Sequence, residues 1–225
     1  MNSITEIEQI SSCFYSHNEI GRLIVFEGIP GAGKTAAINE ICRGGSYPLI
    51  SQLDHLKSFF STNKIYRKNT VNYWYLDMEL NRQNLIYQFL KLGKHVFQDR
   101  NIISTLAFVY AESNKEGKIS DFFNFIEPIR QVAKGRLIRP NLIIVFDVSL
   151  DISISRRKHF IQNSKYNIWF DREFLYHYKF FYQNYLKLFF PNNCITINTT
   201  HLNLKRAILR IEKILNLRGY LKRFG

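Results

Sequence analysis

Residues 23–35 constrain the fold of this chain more than any other stretch. They read LIVFEGIPGAGKT: apolar strand formers, a glycine-rich turn, and a Lys-Thr pair where a helix can begin. This is the G-x-x-x-x-G-K-[ST] pattern in the strand–turn–helix context that a phosphate-binding loop requires. Its glycines let successive N–H groups face an anion, and the N-terminus of the following helix adds a positive field. The stretch therefore predicts a site for a nucleoside triphosphate.

Each part of this loop has a predicted role. We expect Lys34 to reach the β- and γ-phosphates and the Thr35 hydroxyl to bind Mg²⁺. The predicted ATP-binding residues are Gly28, Ile29, Pro30, Gly31, Ala32, Gly33, Lys34, Thr35 and Ala36.

Apolar runs alternate with helical patterns along the rest of the chain, which predicts βαβ units and a parallel sheet. The predicted strands cover residues 22–27, 48–51, 95–99, 141–147 and 194–198. The predicted helices cover residues 34–42, 71–92, 103–112, 121–134, 152–158, 172–189 and 202–215. Residues 1–20 are predicted to be an N-terminal arm or helix that precedes a single domain, 21–225.

Composition narrows the class of protein. No apolar run approaches the roughly 18 residues that cross a bilayer, and the N-terminus lacks the pattern of a secretion signal. Three widely spaced cysteines favour a reducing compartment, so we expect a cytoplasmic protein without membrane contact. The net charge is +13, and residues 201–225 carry seven Lys and Arg residues against one acidic residue. That basic tail is typical either of a solvated helix face or of a nucleic-acid interface.

Two strand ends carry carboxylates that could serve the same site. Asp99 and Arg100 close one predicted strand, and ligands in such sheets bind outside the carboxyl ends of strands. Asp99 is a candidate Mg²⁺ ligand, and Arg100 could clamp an acceptor phosphate. Asp147 ends another apolar strand and fits the metal role equally well as a pattern, but Arg100 beside Asp99 favours Asp99.

Further cations are placed where they could meet a substrate. Arg82 falls on the apolar face of the predicted helix 71–92, so it needs a bound ligand or a carboxylate such as Glu79 as partner. Trp74 shares that face and is a candidate substrate contact. Arg156 and Arg157 begin a polar, basic segment that could close over a triphosphate.

These residues together resemble the thymidylate kinase and deoxynucleoside kinase superfamily. Residues 26–35 are similar to its F-E-G-x-D-G-x-G-K-T, and residues 99–108 to its D-R-Y-x-x-S-S-x-A-Y. Residues 80–82 resemble the A-D-R turn whose arginine faces the acceptor base. Arg156 stands at the position of the first lid arginine. The resemblance covers nearly the whole chain from residue 22.

The resemblance implies a P-loop NTPase fold: a five-stranded parallel sheet with helices on both faces and a helical lid at about residues 156–171. It implies ATP and Mg²⁺ as the donor system and a nucleoside, its monophosphate or a related metabolite as acceptor. Lys34, Asp99, Arg100, Arg156 and Arg157 would be catalytic. Arg82, Arg100 and Trp74 would bind the acceptor. The sequence leaves open whether the chain forms a homodimer. A nucleic-acid-associated ATPase is the rival hypothesis for its function.

The sequence departs from that family at the acceptor side. Pro30 stands where the loop has an Asp, and Asn101 where the D-R-Y motif has a Tyr. Residues 51–55 replace the segment R-E-P-G-G, without its arginine. The family's usual acceptor, thymidine monophosphate, is therefore not the expected substrate.

Overall fold

The computed structural model describes residues 9–43, 47–51, 68–158 and 167–221. Its central sheet has five parallel strands: β2 (Leu23–Gly28), β3 (Leu49–Ile50), β4 (Val96–Asp99), β6 (Leu142–Asp147) and β7 (Cys194–Asn198). They lie side by side in the order β3–β4–β2–β6–β7. The predicted five-stranded parallel sheet is confirmed. Strand β2 lies at its centre, and every residue of β2 is buried, as expected for a strand covered on both faces.

Helices cover the sheet and connect its strands. They are α1 (Lys34–Cys42), α2 (Lys68–Lys91), α3 (Ile102–Lys115), α4 (Ile119–Ala133), α5 (Leu150–Ser155), α6 (Arg172–Asn184), α7 (Leu186–Phe189) and α8 (Leu204–Leu217). Helix α8 packs on α1, whereas α3 packs on α2, α4 and α6.

The structure corrects two predicted helices. The single helix predicted for 172–189 is divided into α6 and α7 at Tyr185, because the Leu188 N–H bonds the Tyr185 carbonyl three residues earlier instead of continuing the α-helical pattern. The helix predicted for 152–158 is α5, and it ends at Ser155. The Arg157 N–H likewise bonds a carbonyl three residues earlier, that of Ile154.

The segment before β2 packs onto the domain. A 3-10 helix (Gln9–Cys13) leads into β1 (Phe14–Tyr15), which pairs in parallel with β5 (Leu137–Ile138). Ile10, Cys13 and Phe14 are buried. The prediction of an arm or helix did not include this pairing, because two-residue strands are too short to show a period in the sequence.

An aromatic layer joins α3, α4 and α6. The Tyr110 ring contacts Phe122 of α4 and Phe181 of α6 at centroid distances of 5.3 and 5.6 Å. One face of α6 is therefore fixed against the core, and it directs the buried Tyr178 and Tyr182 toward the end of β2.

Within the described ranges, none of the helices combines the length and apolarity needed to cross a bilayer. All three cysteines are free thiols, and burial raises the pKa of each to about 11.

Candidate active site

The glycine-rich loop runs from the end of β2 to the start of α1, and its backbone requires glycine at two close approaches. Gly28 has φ = 121°, and a Cβ there would lie 2.1 Å from the Phe146 carbonyl oxygen. Gly31 has φ = 74°, and a Cβ would lie 2.6 Å from the Ser153 carbonyl oxygen. The predicted strand–loop–helix context is confirmed.

Lys34 is buried beneath this loop. Its ammonium group donates to the carbonyl oxygens of Gly28 and Ile29, each at 3.0 Å. Burial, together with the positive charge of Arg100, holds the pKa of Lys34 well below its ordinary value. A phosphate bound in the loop would supply the negative charge that favours the protonated amine.

Thr35 and Asp99 meet at the open end of the sheet. The register pairs Asp99 of β4 with Phe26 of β2, and the Thr35 hydroxyl donates to Asp99 Oδ2 at 2.6 Å. Asp99 Oδ1 is buried and has no hydrogen-bond partner among the described residues. A hydroxyl and a carboxylate with a free oxygen match the hard oxygen ligands that Mg²⁺ prefers, so these residues fit the predicted metal.

Asp147, the alternative metal ligand, has a different environment. Its Oδ1 lies 2.7 Å from the ammonium group of Lys179 on α6. Lys179 also donates to the Val148 carbonyl at 3.1 Å. The geometry favours Asp99 over Asp147, because only Asp99 contacts the Lys-Thr end of the loop.

Arg100 follows Asp99 with φ = 62°, the only positive φ at a non-glycine residue in the described part of the chain. Its N–H bonds the Phe26 carbonyl at 3.1 Å. Its Nη1 donates to the Gly28 carbonyl at 3.2 Å, to Ser104 Oγ at 3.0 Å and to the Tyr178 hydroxyl at 3.1 Å. Burial disfavours its charge, but Tyr178, Tyr182 and nearby carboxylates raise the pKa of Arg100 above its ordinary value.

Arg82 reaches the same region from α2. Its Nη2 contacts Glu79 and donates to the Arg100 carbonyl at 3.2 Å. Both Arg82 and Glu79 are buried. Arg82 Nε and Nη1 are buried without a hydrogen-bond partner in the described ranges. Glu79 is thus the local partner that the sequence suggested, and two donors of Arg82 stay available. The side chain of Trp74 lies outside the described residues.

The arginines that follow α5 lie over the loop. Arg156 donates to the carbonyls of Gly31 (3.4 Å), Thr199 (2.9 Å) and Leu202 (3.2 Å). Arg157 donates to Ser153, and its guanidinium lies 5.0 Å from the centroid of the Phe170 ring. Burial lowers its pKa. Much of the predicted lid, residues 159–166, lies outside the described ranges.

Four residues of this region were missed as site candidates: Glu27, Ser104, Tyr178 and Tyr182. Glu27 is completely buried and accepts hydrogen bonds from Asn101 N–H (2.9 Å), Ser104 Oγ (2.5 Å) and Tyr182 OH (2.8 Å). The available signal was a charged residue inside an otherwise apolar strand. The two tyrosines gave none, because aromatic residues at helical spacing are typical of an ordinary core.

The sequence matches no protein-family model and no curated protein. Its structure resembles solved kinases. A thymidylate kinase from Candida albicans has a TM-score of 0.72 at 17% identity, covering 89% of this chain and 93% of that one. A thymidylate kinase from Ehrlichia chaffeensis has 0.59 at 19%, covering 87% and 98%. A deoxyadenosine kinase from M. mycoides, solved with dCMP and dCDP as products, has 0.66 at 20%, covering 87% and 99%.

The chain has the fold of these P-loop kinases. The predicted fold class is confirmed, and each comparison extends over most of both chains.

Proposed function

We propose that the chain is a member of the thymidylate kinase and deoxynucleoside kinase superfamily that transfers the γ-phosphoryl group of ATP to a nucleoside monophosphate or a related small metabolite. The observation that carries this proposal is the meeting of Thr35, Asp99 and Arg100 at one edge of the sheet. Thr35 and Asp99 would bind the phosphate donor with its metal. Arg100, the residue after Asp99, would bind the acceptor.

In this proposal the donor is held mainly by backbone. The backbone N–H groups of residues 28–36, apart from Pro30, which has none, would surround the phosphates. Lys34 would move from its two carbonyl partners to the β- and γ-phosphates. Arg156 donates to the Gly31 carbonyl of the loop, and the next residue, Arg157, donates to the Ser153 carbonyl of α5. Both would add positive charge beside a triphosphate bound in the loop.

Thr35 and Asp99 would hold Mg²⁺ with the nucleotide. The bound ion supplies charge neutralisation for the phosphate oxygens. The present hydrogen bond between Thr35 and Asp99 keeps the two oxygen ligands close together.

The acceptor side favours a phosphate over a hydroxyl acceptor. A hydroxyl acceptor needs a carboxylate that can take its proton. Glu27 is completely buried and accepts three hydrogen bonds from protein donors. Glu79 accepts hydrogen bonds from Arg82, Gln83 and Gln98. Asp147 is paired with Lys179. Asp99 is the carboxylate that remains in the described part of the site, and it is the proposed metal ligand. A phosphate acceptor needs no strong base, and Arg100 supplies the positive charge to bind it.

Arg82 is the proposed contact for the remainder of the acceptor. Its unpartnered Nε and Nη1 are two donors in a buried position. They point to different sides of the guanidinium, so each would bind its own acceptor atom on the ligand. Pairing with a ligand would satisfy donors whose burial is otherwise unfavourable.

The test is a coupled assay of ADP release with ATP, Mg²⁺ and a panel of nucleoside monophosphates and nucleosides. We expect ADP release that depends on a monophosphate. If folded protein released no ADP with any member of the panel, the proposal would be refuted.

A nucleic-acid role is the second candidate, and it is motivated by α8. Ala207, Ile211 and Leu215 of this helix are buried, whereas Lys205, Arg206, Arg210 and Lys213 are exposed. A basic helix face of this kind can track phosphates. Binding of DNA or RNA that weakens steeply with salt would favour this candidate, and salt-independent or absent binding would remove it.

A further inference from the structure

Glu27 is a buried carboxylate that the proposed transfer reaction does not use directly. It is completely inaccessible to solvent, and its two oxygens accept three hydrogen bonds from protein groups. Those bonds leave it no access to a substrate proton. Its function must therefore be exerted through the groups that it binds.

Two hydrogen-bond paths join Glu27 to Arg100. The short path runs through Ser104, whose hydroxyl accepts from Arg100 Nη1 at 3.0 Å and donates to Glu27 Oε2 at 2.5 Å. The long path runs from Arg100 Nη1 to the Tyr178 hydroxyl at 3.1 Å. It continues to the Tyr182 hydroxyl at 3.3 Å and to Glu27 Oε2 at 2.8 Å. Both paths begin and end on the same two atoms.

When Glu27 is ionised, the number of available protons determines which group donates and which accepts in every hydrogen bond of both paths. An arginine can only donate and a carboxylate can only accept. Each hydroxyl has one proton, so Ser104 and Tyr182 both point theirs at Glu27, and Tyr178 points its proton at Tyr182. Glu27 thus orients three hydroxyl groups whose lone pairs face Arg100 or the next hydroxyl in the path.

The backbone of Arg100 requires such support. A positive φ at a residue with a Cβ is strained and persists where its surroundings fix it. Phe26 and Arg82 bind the N–H and carbonyl of Arg100, and Gly28, Ser104 and Tyr178 bind its side chain. The hydroxyl pair Ser104 and Tyr178 is the part of this cage that depends on Glu27.

We propose that Glu27 is a positioning residue, which fixes the guanidinium of Arg100 through Ser104 and through the pair Tyr178 and Tyr182. The consequence for phosphoryl transfer rests on the proposed function, since it needs Arg100 to bind the acceptor. The positioning itself does not rest on it and can be measured without substrate.

Because the two paths are parallel, losing one leaves the other. Ser104→Ala and Tyr182→Phe each break one path, whereas the double variant breaks both. The effect of the double variant on Arg100 therefore exceeds the sum of the single effects. Glu27→Gln keeps the shape of the side chain but replaces one acceptor by an amide donor. Because both paths end on Oε2, it disrupts both when the amide nitrogen takes the place of that oxygen and neither when it takes the place of Oε1.

The experiment follows the Arg100 side-chain N–H signals by ¹⁵N NMR, assigned with Arg100→Lys. We expect resolved, slowly exchanging signals in the unaltered protein. In Ser104→Ala/Tyr182→Phe we expect exchange to be faster by about tenfold, the factor that corresponds to a lost hydrogen bond to a charged group. The matched control is Tyr176→Phe, which removes the hydroxyl of an exposed tyrosine from the same helix. It should leave the Arg100 signals unchanged.

The outcomes separate this proposal from the proposed function. Unchanged Arg100 signals in both the double variant and Glu27→Gln, or equal changes in Tyr176→Phe, would overturn the positioning role. With any nucleoside monophosphate that the assay identifies, the double variant should raise the acceptor KM about tenfold and leave the KM for ATP unchanged. If no acceptor is found, the proposed function fails while the NMR result still decides the role of Glu27.

Discussion

The two halves of the candidate site differ in how their positively charged side chains are paired. In the donor half, the loop 28–35 with Asp99, Lys34 is paired with two backbone carbonyls of the loop itself. In the acceptor half, formed by Arg82 and Arg100 with their partners, Arg82 keeps two buried donors without a partner among the described residues. Within the described part of the chain, the donor half therefore keeps one unpaired acceptor, Asp99 Oδ1, whereas the acceptor half keeps two unpaired donors on Arg82.

This difference follows from how each half is assembled. The loop is one continuous segment, and its geometry depends on glycines and on the start of α1. The acceptor half combines side chains from β2, α2, α3 and α6, held by the buried carboxylates Glu79 and Glu27. Changes in the donor half should therefore alter catalysis alone, and changes in the acceptor half should also alter stability.

The largest expected effect is the loss of stability in Glu79→Ala. Removing this carboxylate leaves Arg82 buried and uncompensated, which costs about 3–5 kcal/mol. The matched control is Glu40→Ala, because Glu40 and Arg43 form an ion pair of the same i,i+3 spacing on the surface. Its loss should cost at most about 1 kcal/mol. Urea unfolding of both variants measures the contrast, and equal losses would contradict the buried role of Glu79.

In the donor half, Lys34→Ala should lower kcat by roughly 10²–10³-fold, the usual loss when a preorganised charge is removed from an active site. The melting temperature should change little, because the loss of two hydrogen bonds to the carbonyls of Gly28 and Ile29 is offset by the removal of a buried charge. The exposed Lys91→Ala serves as control. Retention of activity in Lys34→Ala would refute the assignment of the loop.

A smaller effect is expected from Thr35. Thr35→Val removes the hydroxyl that contacts Asp99 and should raise the Mg²⁺ concentration needed for half-maximal activity by about tenfold, for one lost oxygen ligand. Thr35→Ser keeps the hydroxyl and should restore the requirement. A Mg²⁺ dependence that is the same in all three proteins would show that Thr35 is not a ligand.

The smallest effect concerns pH. Burial raises the pKa of Glu27 above its ordinary value of 4.5. The folded protein then binds this proton more tightly than the unfolded chain. The contribution of Glu27 to stability is therefore complete below that ordinary value and is lost as pH rises through the raised pKa. Urea midpoints between about pH 4 and 8 should fall less steeply in Glu27→Gln than in the unaltered protein. Parallel profiles would contradict the raised pKa.

The sequence predicted the parts of the molecule that depend on neighbouring residues. The strands β2, β4, β6 and β7 lie within about one residue of their predicted bounds, because apolar runs of that length mark buried parallel strands. The contact between Thr35 and Asp99 could also be predicted from the sequence. Asp99 ends β4 and Thr35 follows the loop after β2, and these two strands end at the same edge of the sheet.

The remainder depends on contacts between distant segments. Tyr182 and Glu27 are 155 positions apart, and Ile138 N–H bonds Gln83 across 55 positions. No local pattern indicates such partners. The pairing of β1 with β5 was missed for the same reason.

The most direct test of the whole account is the fate of the γ-phosphoryl group of labelled ATP in the presence of Mg²⁺ and a nucleoside monophosphate. We predict that the label appears in a nucleoside diphosphate, and that Lys34→Ala slows its appearance by roughly 10²–10³-fold. Label released only as inorganic phosphate, at a rate independent of every monophosphate, would contradict the kinase assignment.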